Sequence, residues 1–166
     1  MAIWIAIPIL GILLIIQSTV FTYFTLLSGT VDLIMLVLIA WALQKRVQTA
    51  WHWCIIGGLL VSIISALPFG VSLIGYSLVT GIVMLLRQRL WQIPILAMYI
   101  STFLGTIIFH FLTLVVLRIM GTPFSIQEVL NSITLPSLLL NLFLALPVYA
   151  LINELADWIY PEELEV

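Results

Sequence analysis

The sequence predicts an all-α integral membrane protein, built as a six-helix transmembrane bundle. Of its 166 residues, 64% are hydrophobic and only 7% are charged, whereas a soluble domain carries about 25% charged residues. The apolar residues fall into six runs, separated by short segments that contain glycine, proline or charged residues. Such runs are typical of helices that cross a bilayer. We therefore expect a single membrane domain over residues 1–166.

The six predicted spans differ in length. The first has neither a basic start nor a small-residue cleavage site, so we interpret it as a retained span rather than a signal peptide. The second is only thirteen residues long, 31–43, against the usual ~20, and we extend it to a snorkelling Lys45. The predicted spans are about 3–27, 31–45, 51–67, 71–86, 94–117 and 135–153.

Basic residues predict the orientation of the bundle. Lys45 and Arg46 follow the second span, and Arg87 and Arg89 follow the fourth, whereas Arg118 follows the fifth. Loops rich in lysine and arginine remain in the cytoplasm. With six spans, we expect both termini on the cytoplasmic side.

The third and fourth spans are predicted to form a tightly packed hairpin at the centre of the domain. Proline and glycine favour a sharp turn between them. Small residues recur on both arms, and helices in lipid associate through close backbone contact at such residues. The predicted packing residues are Gly57, Gly58, Ser62, Ser65, Pro68, Gly70, Gly75 and Gly81.

Four polar residues inside the spans are candidates for a functional role. They are Gln17, Asp32, His110 and Asn141. Asp32 lies in the first turn of the second span, where the helix dipole favours a carboxylate, and we expect it near the outer surface, facing Arg118. The other three form either an interhelical hydrogen-bond cluster or a substrate pocket. We favour the cluster because three uncharged groups orient a ligand poorly.

A short interfacial helix is predicted at about 126–133. Ser125 and Glu128 have the spacing of a capping box, and Phe124 can pack on Val129. The predicted apolar face consists of Phe124, Ile126, Val129, Leu130 and Ile133. We interpret it as a connecting helix that shields the bundle, with a docking surface for an extracytoplasmic partner as the alternative.

The sequence offers no pattern typical of an enzyme or of a cofactor site. It has no histidine, cysteine and carboxylate set at metal spacing, no phosphate-binding loop and no catalytic triad in register. Glu154 and Asp157 form a close acidic pair, which we interpret as solvated. Cys54 is the single cysteine, and a net charge of −2 gives no field that would attract nucleic acid. We expect no catalytic residues, metal or cofactor.

Three segments resemble the MreD family of rod-shape-determining membrane proteins. Residues 58–62 (Gly-Leu-Leu-Val-Ser) and 65–70 (Ser-Ala-Leu-Pro-Phe-Gly) are similar to the family's hairpin, and 29–33 (Gly-Thr-Val-Asp-Leu) is similar to the start of its second span. Length and span count agree across essentially the whole chain. The sequence departs from the family pattern at Ser62, where relatives often have aspartate.

The resemblance implies a non-enzymatic scaffold subunit of the bacterial cell-elongation machinery, located in the inner membrane. Its expected partner is an MreC-like single-span protein, which connects it to MreB filaments and to peptidoglycan synthases. The family is also similar in fold to the substrate-binding subunits of energy-coupling-factor transporters. The alternative function is therefore a vitamin carrier, which requires a cluster of polar and aromatic groups facing the outside.

Overall fold

The computed structural model describes residues 2–19, 26, 28–89, 92–122 and 125–161. This part of the chain is all-α, as predicted, and it contains no β-strand. Its helices are α1 (Ala2–Thr19), α2 (Leu33–Leu43), α3 (Ala50–Ile64), α4 (Val71–Arg89), α5 (Pro94–Ile119), α6 (Ile126–Val129) and α7 (Leu135–Ile159), with a π-helical turn (Leu130–Thr134) between the last two. The end of the first predicted span, from residue 20, lies largely outside the described residues.

In the described part of the chain, three helical segments are long and apolar enough to cross a membrane. They are Val71–Arg89, Pro94–Ile119 and the continuous segment Ile126–Ile159. Helices α1, α2 and α3 are also apolar but shorter. Length and composition thus support the membrane class, while six separate crossings and their orientation remain predictions.

The centre of the bundle is α2, and not the α3–α4 hairpin that the sequence analysis placed there. All eleven residues of α2 are buried, and α2 contacts α1, α3, α4, α5 and α7. Helix α2 is apolar on every side, and a helix of this kind is buried either in a protein core or in lipid. Successive contacts run from α1 to α3, α4, α5 and α7, so these five helices form an incomplete ring around α2.

The α3–α4 hairpin is nevertheless the most extensive helix pair in the described chain. A Cβ atom at Gly58 would lie 2.8 Å from Cα of Leu73 on α4, so this position excludes a side chain. Gly75 faces α5 rather than α3, since a Cβ atom there would lie 2.6 Å from the ring of Phe109. Gly81 is less restricted, since its nearest neighbour is the Trp51 ring at 3.5 Å.

Other predicted packing residues shape the turn or face different helices. Gly70 has φ +89°, which favours glycine, and the carbonyl of Pro68 accepts a hydrogen bond from the Val71 N–H at 3.1 Å. Gly57 faces Ile34 and Leu38 of α2 rather than α4. The remaining two are serines: Ser62 is buried, and Ser65 is the C-cap of α3.

The segment 126–133 does not form the separate interfacial helix that its sequence predicts. It passes through the π-helical turn directly into α7. Pro136 explains the irregular turn, because it has no N–H to donate to the carbonyl of Ser132 four residues earlier. The N–H of Leu135, the residue before this proline, bonds to the carbonyl of Leu130 five residues earlier, which is the spacing of a π-helix.

The predicted apolar face of this segment is divided by the structure. Ile126 and Leu130 are exposed, whereas Val129 and Ile133 are half-buried and line an apolar cavity beside α5. Ser125 is the N-cap, but its side chain makes no capping hydrogen bond. Phe124 lies outside the described residues.

Candidate functional site

The polar residues of the bundle meet at the start of α2. The first N–H groups of an α-helix have no partner within the helix, and buried backbone groups are almost always paired. Asp32 is the N-cap, and its Oδ1 accepts a hydrogen bond from the Met35 N–H at 2.9 Å. Side chains from other helices bind two further N–H groups of this turn.

Asn141 of α7 and Gln17 of α1 supply these two acceptors. Oδ1 of Asn141 accepts from the Asp32 N–H at 2.9 Å, and Oε1 of Gln17 accepts from the Ile34 N–H at 3.2 Å. The amide nitrogen of Asn141 also donates to Oγ1 of Thr106 on α5, at 3.2 Å. The two amides thus connect α1, α5 and α7 to the first turn of α2.

Tyr76 of α4 completes this group, which we call the α2 cap: Gln17, Asp32, Tyr76 and Asn141. The hydroxyl of Tyr76 donates to the carboxylate of Asp32, with its oxygen 2.9 and 3.0 Å from the two carboxylate oxygens. The expectation that Asp32 begins a helix agrees with the structure, but the hydrogen-bonding partner is Tyr76 rather than Arg118. Sequence analysis missed Tyr76, whose hydroxyl gives no signal in an apolar run.

His110 lies beside the α2 cap without bonding to it. Its Nδ1 is 3.2 Å from Oγ1 of Thr134, in the π-helical turn. Of the three uncharged residues expected to meet, Gln17 and Asn141 thus converge on α2, whereas His110 pairs with the C-terminal segment.

Backbone N–H groups of the segment before α2 form hydrogen bonds with the π-helical turn and with the start of α7. The Ser28 N–H donates to the carbonyl of Ser132 at 3.0 Å, and the Thr30 N–H donates to Oγ of Ser137 at 2.9 Å. A Cβ at Gly29 would lie 2.5 Å from the backbone nitrogen of Ser137, so only glycine fits there. The Ser132 carbonyl is the one to which Pro136, four residues later, has no N–H to donate. The sequence analysis did not identify Gly29 as a packing residue. The one signal in the sequence was Pro136, which predicts an irregular backbone in the segment that Gly29 contacts.

A cavity of about 200 Å³ adjoins the α2 cap. Gln17, Asp32, Tyr76 and His110 line it, together with residues at the end of α3 and the start of α4. One lining residue, Ser72, is only 1% exposed, and its Oγ has no hydrogen-bond partner among the described residues.

Arg87 of α4 provides the corresponding contacts at the opposite end of α2. Its Nη1 donates to the carbonyls of Ala42 at 3.2 Å and Gln44 at 2.8 Å. The last carbonyls of a helix lack helical donors, and a cation is favourable at this end of the helix dipole. Arg87, which the sequence analysis used to predict the orientation of the bundle, therefore also stabilises the fold.

No group of three or more metal-ligating side chains occurs among the described residues. Asp157 of the predicted solvated acidic pair is exposed and forms an ion pair with Arg46. Comparison of the chain with protein-family models, curated proteins and solved structures finds no match.

Proposed function

We propose that this chain is a non-enzymatic scaffold subunit of the bacterial cell-elongation complex, and that it binds the membrane helix of an MreC-like single-span protein. The proposal starts from the resemblance of residues 29–33 and 58–70 to the MreD family. The structural observation that supports it is an apolar groove on the outside of the bundle.

The groove lies where the ring around α2 is open. Its two sides come from α1 and α7, and Val37 of α2 forms part of its floor. The cavity measures about 330 Å³, and all of its lining residues are aliphatic: Ile9, Ile12, Leu13, Val37, Val148, Leu151, Ile152 and Leu155. One apolar helix from a partner would close the ring, with van der Waals contacts as the main attraction.

The cavity near the α2 cap gives less support to a vitamin carrier. Pockets for ligands of that size typically have volumes of about 300–1,000 Å³, whereas this cavity measures about 200 Å³. The polar side chains of Gln17 and Asn141 are already engaged by the backbone of α2. These groups therefore act first as caps.

Site-specific photocrosslinking tests the scaffold proposal. A photoreactive amino acid at Ile12 or Leu151, which are 58% and 66% exposed in the groove, should crosslink the full-length protein in its own membrane to an MreC-like protein. The matched control is Leu85 of α4, which is 67% exposed but lies outside the groove. Leu151→Trp should lower recovery of the partner several-fold. Equal crosslinking from Leu85, or unchanged recovery with Leu151→Trp, would contradict the docking site.

A further inference from the structure

We infer that the cavity beside the α2 cap is a binding site for a small protonated amine. This inference goes beyond the scaffold function, because a scaffold can bind a small cation without becoming a carrier. It rests on the charge of the lining, on an unpartnered buried hydroxyl, and on the size of the space.

The charge of the cavity is set by one carboxylate. Asp32 lines it, and no lysine or arginine is among its described lining residues. Helices α2 and α4 begin at this end of the bundle and α1 and α3 end there, so their terminal partial charges, about half an elementary charge each, largely offset one another. The carboxylate therefore leaves the cavity with a net negative charge.

The hydrogen-bonding groups of the cavity favour a ligand that donates. The carboxylate of Asp32 has more lone pairs than the two donors, the Met35 N–H and the Tyr76 hydroxyl, can occupy. Oγ of Ser72 is buried without a partner, and a buried polar atom without a partner is costly. An ammonium group has three N–H donors and no acceptor, so it matches the acceptor oxygens that Asp32 and Ser72 both contribute to the lining.

The remaining lining fits an amine better than a metal ion. Calcium requires six to eight oxygen ligands, and magnesium requires near-octahedral geometry, whereas Asp32 is the only carboxylate that the described lining contributes. Val31, Val61 and Leu67 add apolar surface, which suits the carbon chain of an alkylamine. The cavity has room for several water molecules or for a ligand of similar size.

Isothermal titration of the full-length protein in nanodiscs, with n-butylammonium as the probe, tests this site. We expect saturable binding that butyrate and 1-butanol do not reproduce. Asp32→Asn should weaken it about tenfold or more, because a charge-assisted hydrogen bond is lost. Ser72→Ala, which removes one oxygen, should weaken it several-fold. Asp157→Asn is the matched control and should bind as the wild type does.

Several outcomes would overturn the assignment. These are the absence of saturable binding by folded wild-type protein, equal binding of butyrate or butanol, tighter binding of sodium than of the amine, and unchanged affinity in Ser72→Ala. The serine variant keeps the test decisive if Asp32→Asn does not fold. Ser72→Ala should leave partner recovery unchanged and Leu151→Trp should leave amine binding unchanged, so failure of this site is distinguishable from failure of the scaffold proposal.

Discussion

Helix α2 and the α3–α4 hairpin are both tightly packed, but different interactions hold them. In the hairpin, glycine lets backbone atoms approach, as at Gly58 and Leu73. In α2, all side chains are apolar and buried, and the specific contacts lie at its two ends, where Asn141 and Arg87 bind backbone groups. The hairpin therefore depends on the volume of small residues, whereas α2 depends on polar side chains supplied by other helices.

The largest effect should follow from added volume in the hairpin. Gly58→Leu places a side chain where a Cβ alone would lie 2.8 Å from the Leu73 backbone. Overpacking typically costs about 1–3 kcal/mol and occasionally more, and backbone cannot move aside as a side chain can. We expect a loss of about 3 kcal/mol or more in the free energy of unfolding, measured by SDS titration in mixed micelles.

The matched control for this substitution is Gly81→Ala, at a position with ordinary van der Waals space. It should be neutral or stabilising by about 0.5–1 kcal/mol, since alanine is the better helix former. Similar losses from both variants would mean that the two helices do not approach through Gly58.

A smaller effect should follow from removal of the α2 cap. Asn141→Leu keeps a similar shape but leaves the Asp32 N–H without its partner, whereas Oγ1 of Thr106 keeps its bond to the Thr102 carbonyl. A buried polar group without a partner costs about 1–3 kcal/mol, so we expect a loss in that range by the same titration. Asn153→Leu, which removes an exposed bond to Asp157, should change stability by less than about 0.5 kcal/mol. If Asn141→Leu also proved neutral, the hydrogen bonds at the start of α2 would contribute little to the fold.

The smallest effect should follow at the C-terminal end of α2. Arg87→Met keeps much of the aliphatic stem but removes the donors to the Ala42 and Gln44 carbonyls. Because Arg87 is half-buried and water can replace some of these bonds, we expect a loss of about 1 kcal/mol. Arg89→Met, at an exposed position of the same helix end, is the control. Equal stabilities would indicate that Arg87 contributes only to topology.

The all-α fold and the hairpin turn could be predicted because their causes are local in the sequence. Apolar runs identify helices, and Pro68 with Gly70 identifies the turn. The central place of α2 could not be predicted, since an apolar helix in lipid and one surrounded by protein have the same composition. Its thirteen-residue run was a signal, because a short helix need not reach both membrane surfaces.

The sequence identifies some residues of the candidate site but not the partners to which they bond. Asp32, Gln17 and Asn141 stand out as polar residues in apolar runs, but their bonding depends on which helix ends they reach. Gln17 and Asn141 are 124 positions apart in the chain, and no local pattern relates them. Ser72 was missed because a serine hydroxyl in an apolar helix normally bonds to the backbone of its own helix, and Tyr76 was missed because its ring resembles the apolar residues around it.

The shortness of α2 has a consequence for how the protein is made. Its eleven residues extend about 16 Å at 1.5 Å per residue, roughly half of the ~30 Å hydrocarbon core. An isolated helix of this length is also marginal in water. During synthesis α2 emerges before α4, which supplies Tyr76 and Arg87, and before α7, which supplies Asn141. Its hydrogen-bonding partners are therefore complete only after the C-terminal helix has been made, and a chain truncated before α7 would leave the Asp32 N–H without the acceptor that Asn141 provides.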